Sequence, residues 1–223
     1  LVPVRLEIEY ESYRFRDTLV WNVNDPVVTV ERFAQLTVED FQLPAPMASL
    51  IAKQIQEQLT EHKAVDLPDA MNIVVDREEI LQGKLEEDGD DLDIVIGSRH
   101  LTDQFEWDIM ETTNSPELFA DSYASELGLG GEFKSAIAHD IREQVNMYQR
   151  ALVAIGHNFD GGTIFDDDLR QAILPPVSIA GRTADQAANC MPILNNLSEG
   201  EMESNEKERE KELKRKKRQG RAR

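Results

Sequence analysis

The sequence predicts an α+β protein made of two tandem strand-strand-helix-helix repeats, joined by an acidic linker and followed by a C-terminal charged helix. Three observations carry this prediction. Residues 4–59 align without a gap on residues 90–145 at a constant offset of 86. Within each copy the apolar spacing changes from two residues to near 3.6, the signature of strands followed by helices. The segment Lys207 to Arg223 holds ten Lys or Arg against three Glu, leaving 14 basic and 40 acidic residues before it.

The aligned positions include both tryptophans, Trp21 and Trp107, and pairs such as Leu6 with Leu92, Asp17 with Asp103, Phe33 with Phe119, and Ile51 with Ile137. Val4, Leu6, Ile8 and Tyr10 alternate with polar residues and predict a first strand with one buried face, matched by Leu92, Ile94 and Ile96. A second strand is expected through Phe15, Leu19, Trp21 and Val23, and through Leu101, Phe105, Trp107 and Ile109 after a Gly97-Ser98 turn. A helix follows in each copy. Ser115 is its cap and Pro116 its first residue in the second copy, and Thr29 is the equivalent cap in the first.

These helices are expected over Phe33 to Phe41 and Phe119 to Leu127, ending at Pro44 and at the turn Gly128 to Gly131. A longer helix then carries Leu50, Ile51, Ile55 and Leu59, matched by Ile137, Ile141 and Val145. The organisation read from these signals is repeat 1 over 1–62, an acidic linker over 63–89, and repeat 2 over 90–150. An extension over 151–196 contains a short helix capped by Asp166 and a segment with Pro175-Pro176, and the basic helix occupies 197–223. Met71 to Leu81 within the linker reads as a short strand or helix. The abrupt start at Leu-Val-Pro-Val and the end inside a basic run suggest a piece of a longer protein.

Composition narrows the chemistry. The formal charge of −19 is a balance between an acidic body and a basic tail, so the body repels a phosphate backbone and suits a histone or another basic protein. One cysteine, Cys190, excludes an intramolecular disulfide and a Cys-based zinc site. No apolar run approaches the roughly 18 residues of a membrane span. The four histidines show no paired metal spacing, and His139 reads as a half-exposed helix residue. Glu132-Phe133 follows Gly128 to Gly131 where a phosphate loop needs Lys and Ser or Thr, so that turn is a helix stop. No catalytic motif stands out, and no cofactor, metal, membrane or small-molecule substrate is expected. A module of about 55 residues has a small core and gains from docking on a partner or on its twin.

The tail has a capping box, Ser198 with Glu201, and favourable i,i+4 pairs such as Glu203 with Lys207, Glu210 with Lys214, and Glu212 with Lys216. Lys207, Lys211, Lys214, Arg215 and Arg218 fall on one helix face. An exposed basic stripe suits either an acidic protein surface or a nucleic-acid backbone, and a solvated helix or a nuclear-import signal has the same composition. Two alternatives to a scaffold role stay open: a nucleic-acid-binding module acting through the tail, and an enzyme using clustered carboxylates.

Arg16-Asp17 with Trp21, Thr102 to Trp107, Ser115-Pro116-Glu117 with Phe119-Ala120, and Glu126 to Phe133 form a set of motifs in the duplicated unit. With them the unit resembles the "Snf-five" core subunits of SWI/SNF and RSC chromatin remodellers, in a fungal version. Gly156 to Gly161, and Asp166 to Arg170 with Leu174-Pro175, extend the resemblance. It implies a nuclear, non-catalytic subunit whose first repeat docks on the SWIRM domain of a Swi3-type or Rsc8-type scaffold subunit, beside other remodeller subunits. It further implies that the basic helix lies on the histone octamer acidic patch through Lys207, Lys211, Lys214, Arg215, Lys217 and Arg218. Several of these are Lys, which lacks the forked contacts of Arg. For the scaffold contact, exposed positions near Phe33, Met47, Ile51 and Leu59 are the expected face.

Overall fold

A computed structural model describes residues 1–63, 92–111, 113–159, 163–173, 191–205, 207 and 211. Among the described residues the chain is mixed α/β with two small antiparallel sheets. It divides into two compact units, residues 1–90 with 107–180, and residues 91–106 with 181–223. The linker beyond Lys63, the stretch 71–81, Pro175-Pro176 and Cys190 lie outside the described residues.

In the first unit, β1 (Val2–Tyr10) and β2 (Tyr13–Trp21) form a hairpin with register Val2↔Trp21 through Tyr10↔Tyr13. Strict alternation places Val2, Val4, Leu6 and Ile8 on one buried face, as the period-two pattern requires. Two helices cover that face. In α1 (Val30–Asp40), Thr29 accepts a cap hydrogen bond from the Arg32 amide; in α2 (Met47–Lys63), Met47, Ile51 and Ile55 recur at four-residue steps and are fully buried. Phe15, Trp21, Ala34 and Val38 complete the core. Leu50 and Val23, both expected among the apolar positions of these elements, are exposed: Leu50 lies off the Met47-Ile51-Ile55 stripe, and Val23 lies past the last ladder pair.

The outer edge of β1 is closed by side chains. Gln58 accepts from the Arg5 amide (3.0 Å) and donates to its carbonyl (2.8 Å), and one turn earlier Gln54 does the same to Glu7 (3.0 and 3.5 Å). Two glutamines at i and i+4 thus take the place of a neighbouring strand and satisfy backbone groups that would otherwise invite edge-to-edge pairing. Pro3, next along the same edge, has no amide to offer.

The same unit contains α3 (Pro116–Glu126) and α4 (Gly131–Ala154). Ser115 caps α3 through the Leu118 amide, with Pro116 at the first helical position. Several residues 86 positions apart make matching contacts. Trp21 meets Phe33 edge-on at 5.5 Å, and Trp107 meets Phe119 edge-on at 5.4 Å. Gln42 and Gly128, both at positive φ, end α1 and α3, with Leu43 and Leu129 donating back to Val38 and Ala124. The first helix therefore stops at Phe41, before the expected Pro44. Gln56 of α2 donates to Glu31, whereas Arg142 of α4 grips Glu117 through two nitrogens. Helix α4 also contacts the hairpin through Arg5 and Glu143 (2.6 Å), and α5 (Asp167–Ala172), capped by Asp166, packs near Leu152, Phe159 and Ile164.

The second unit is a three-stranded sheet of β3 (Leu92–Ile96), β4 (Arg99–Asp103) and β5 (Ile193–Asn196), in that order. Gly97, at φ +59°, makes the expected tight turn. Expectation and structure part at two places. The fourth strand stops at Asp103 instead of reaching Ile109, and Asp103, paired with Leu92, is the end of the described ladder. Residues 193–196, expected only as part of the extension, pair with β4 from Arg99↔Asn196 to Thr102↔Ile193.

Candidate interaction site

The charged tail begins at a defined point. Beyond β5, the Leu197 amide donates to the Ser98 carbonyl in the Gly97-Ser98 turn (2.7 Å). Ser198 then forms the expected capping box. Its hydroxyl accepts weakly from the Glu201 amide (3.4 Å), and the Glu201 carboxylate accepts from both the Ser198 amide (2.8 Å) and hydroxyl (2.6 Å). Those hydrogen bonds, the hydroxyl's first and the amide's second, hold the Glu201 carboxyl below its ordinary pKa. Helix α6 is described over 199–205, residues 207 and 211 are also helical, and Lys207 pairs with Glu203 at 3.4 Å. Lys207 and Lys211 are exposed. Lys214, Arg215, Lys217 and Arg218 lie outside the described residues.

The expected scaffold-binding face needs correction. Met47 and Ile51 have no exposed surface, since they fill the space between α2 and the hairpin, and Phe33 and Leu59 are half-buried against the same core. The apolar surface of these two helices lies elsewhere, at Leu36 (38% exposed), Phe41 (61%) and Leu50 (37%). Phe41 stands edge-on to Phe15 while leaving much of its ring in solvent. Helical spacing misled here because Ile51 belongs to the core stripe from which α2 itself was recognised. The Leu43 amide returning to Val38 fixes the helix end that sets Phe41 at the rim.

Titratable groups show packing rather than chemistry. His139 is 2% exposed, not half-exposed, and desolvation depresses its pKa to about 4, against the opposing charge of Glu143. Its ring hydrogen-bonds the Val4 backbone. Asp17 is held above the usual carboxylate range by partial burial, with the charge of Glu132 adding to it. Burial alone would raise Glu117, but its hydrogen bonds and attraction to Arg142 bring it below the ordinary value. Among the described residues no group of three His, Cys, Asp or Glu could hold a metal ion, and no helix is long and apolar enough to cross a membrane.

A family model described as SNF5 / SMARCB1 / INI1 matches residues 1–214. The chain belongs to the SNF5 family. This SNF5-family chain is 40% identical over 236 residues to the SWI/SNF chromatin-remodeling complex subunit SNF5 of Saccharomyces cerevisiae, a match covering all of this chain and 25% of that protein. It is 33% identical over 250 residues to the corresponding subunit of Schizosaccharomyces pombe, covering all of this chain and 40% of that protein. The chromatin structure-remodeling complex protein BSH of Arabidopsis thaliana is 35% identical over 156 residues, 70% of this chain and 60% of that protein. The chain thus spans between a quarter and two fifths of the two yeast relatives.

Proposed function

We propose that this SNF5-family chain is a non-catalytic scaffold subunit of a nuclear ATP-dependent chromatin remodeller of the SWI/SNF or RSC type. The observation that carries the reading is the match of the family over nearly the whole chain, together with relatives named as subunits of such complexes. The body is read as two copies of one module. The paired Trp–Phe contacts, the Thr29 and Ser115 caps and the left-handed helix stops at Gln42 and Gly128 support that duplication. The first copy docks on the SWIRM domain of a Swi3-type or Rsc8-type subunit, and exposed Leu36, Phe41 and Leu50 are the apolar positions on its helices that supply contact. The basic helix, with Lys207 and Lys211 at its described start, engages the acidic patch of the histone octamer, a division of labour that fits the charge asymmetry.

A pull-down with a SWIRM-containing scaffold fragment tests the docking half. The chain and a version ending at Asn196 should both retain the fragment, whereas Leu36→Asp with Leu50→Asp should lower retention roughly tenfold, the scale of a lost interface anchor. Retention unaffected by these changes would move the contact to another face. Failure of the unaltered chain to hold the fragment would refute SWIRM docking.

A further inference from the structure

The tail helix is joined to the β3–β4–β5 sheet by only Leu197 and Ser198, and each is held. Leu197 donates to Ser98 in the hairpin turn, while Ser198 closes the capping box with Glu201. One residue earlier, Asn196 is still paired with Arg99, and Met202 makes its first helical bond to the Ser198 carbonyl at 3.0 Å. Four consecutive strand pairs, a turn contact and a reciprocal cap thus follow one another without a free residue. The hairpin end is itself braced by His100 and Asp93, which meet across β3 and β4 at 2.6 Å.

This matters because α6 has little else to define it. Between Glu199 and Lys211 the apolar side chains are few, with Met202 half-buried and the remaining described positions mostly exposed, so packing does not create the helix. Starting a helix is the costly step, since several residues must be fixed before the first bonds repay them. A preformed first turn removes that step. From a fixed start the direction of the helical turns over 199–205, which lead to the helical Lys207, follows from helical geometry relative to the sheet.

We infer that β5 and the Ser198–Glu201 box form a splint that presents the basic helix in a set direction from the β3–β4–β5 sheet, instead of leaving it as a freely turning tether. Ser198, Glu201 and Leu197 are positioning residues in this account: none is a cation, and each acts through where it places the cations that follow. The benefit to an interface would come from ordering achieved before binding rather than during it. The value of that order for nucleosome binding rests on the function proposed above, whereas the splint itself is a property of the free chain.

Amide relaxation and secondary chemical shifts of the 223-residue chain test it by NMR, with nucleosome titrations alongside. In the unaltered chain, amides of 199–207 should relax like those of the sheet. Ser198→Ala should lower the helical population of the first turns about fivefold, the factor of a typical cap, and Ser198→Asp should restore it. Four Gly and Ser residues inserted between Leu197 and Ser198 should leave helicity in place while letting the helix tumble apart from the sheet, and should weaken nucleosome binding roughly tenfold. Independent tumbling in the unaltered chain, or helicity indifferent to Ser198→Ala, would overturn the splint. Nucleosome affinity unchanged by the insertion would overturn its role in binding. If the unaltered chain bound no nucleosome at all, the proposed function would fail and the relaxation data alone would decide the splint.

Discussion

Helix pairs α1–α2 and α3–α4 solve one packing problem with different chemistry. Where Gln56 offers Glu31 a single hydrogen bond, Arg142 offers Glu117 a charged fork; where α1 stops on Gln42 in the left-handed region, α3 stops on Gly128, which enters it at no steric cost. The hairpins divide the other way. β1 and β2 run nine residues each and close their edge with Gln54 and Gln58, whereas β3 and β4 run five and gain β5 from about ninety residues downstream. Stability in the first hairpin comes from length and a buried face. The second depends on a strand whose far placement in sequence carries a larger chain-closure cost.

The largest effects should come from the cores, where the two halves are expected to agree. Ile51→Ala and Ile137→Ala each remove a fully buried side chain and should each cost about 2–5 kcal/mol in urea unfolding. Values differing by more than about 2 kcal/mol would break the equivalence of the two positions.

His139 should separate α4 from α2, because Lys53, 86 positions earlier in the sequence, is solvent-exposed while His139 is buried. With a folded pKa near 4 and an unfolded value near 6.5, the unfolded chain binds the extra proton between those limits, so stability falls as pH is lowered through that window. The loss should be on the order of 3 kcal/mol, and His139→Gln should remove most of it from a pH series of unfolding curves. Glu117 acts lower on the scale: its depressed folded pKa contributes stability that is present above the unfolded carboxylate value and lost as pH falls through the folded one.

The smallest differences concern the caps. Gln42→Gly should raise the unfolding free energy by up to about 1 kcal/mol and Gly128→Gln should lower it by a similar amount, since only the first relieves a left-handed side-chain conformation. Equal and negligible shifts would show that neither helix stop is strained.

Local signals in the sequence located most of these elements. Apolar alternation and the Gly97-Ser98 turn located both hairpins, and the caps at Thr29, Ser115, Asp166 and Ser198 each made the hydrogen bond that their type and spacing imply. What escaped was non-local. The four residues of β5 are too few for a period, and their partner lies near Arg99. β4 ends at Asp103, paired with Leu92, although Phe105 and Trp107 continue the alternation in sequence. His139 sits off the Phe133-Ile137-Ile141 stripe of α4, and a second buried face bearing a polar residue leaves no apolar pattern. Of the site, Ser198, Glu201 and the Glu203–Lys207 pair were legible, while Met47 and Ile51 were assigned to a surface that their own spacing argued against.

Whether the tail engages the histone surface, as proposed, is decided by titrating the chain onto nucleosomes with intact or neutralised acidic patches. Binding to the intact patch, loss of at least tenfold on neutralisation, and no measurable binding by a chain ending at Asn196 are expected. Equal affinity for both nucleosomes, or affinity for naked duplex that matches them and falls steeply with salt, would contradict that engagement and make the tail a general polyanion binder.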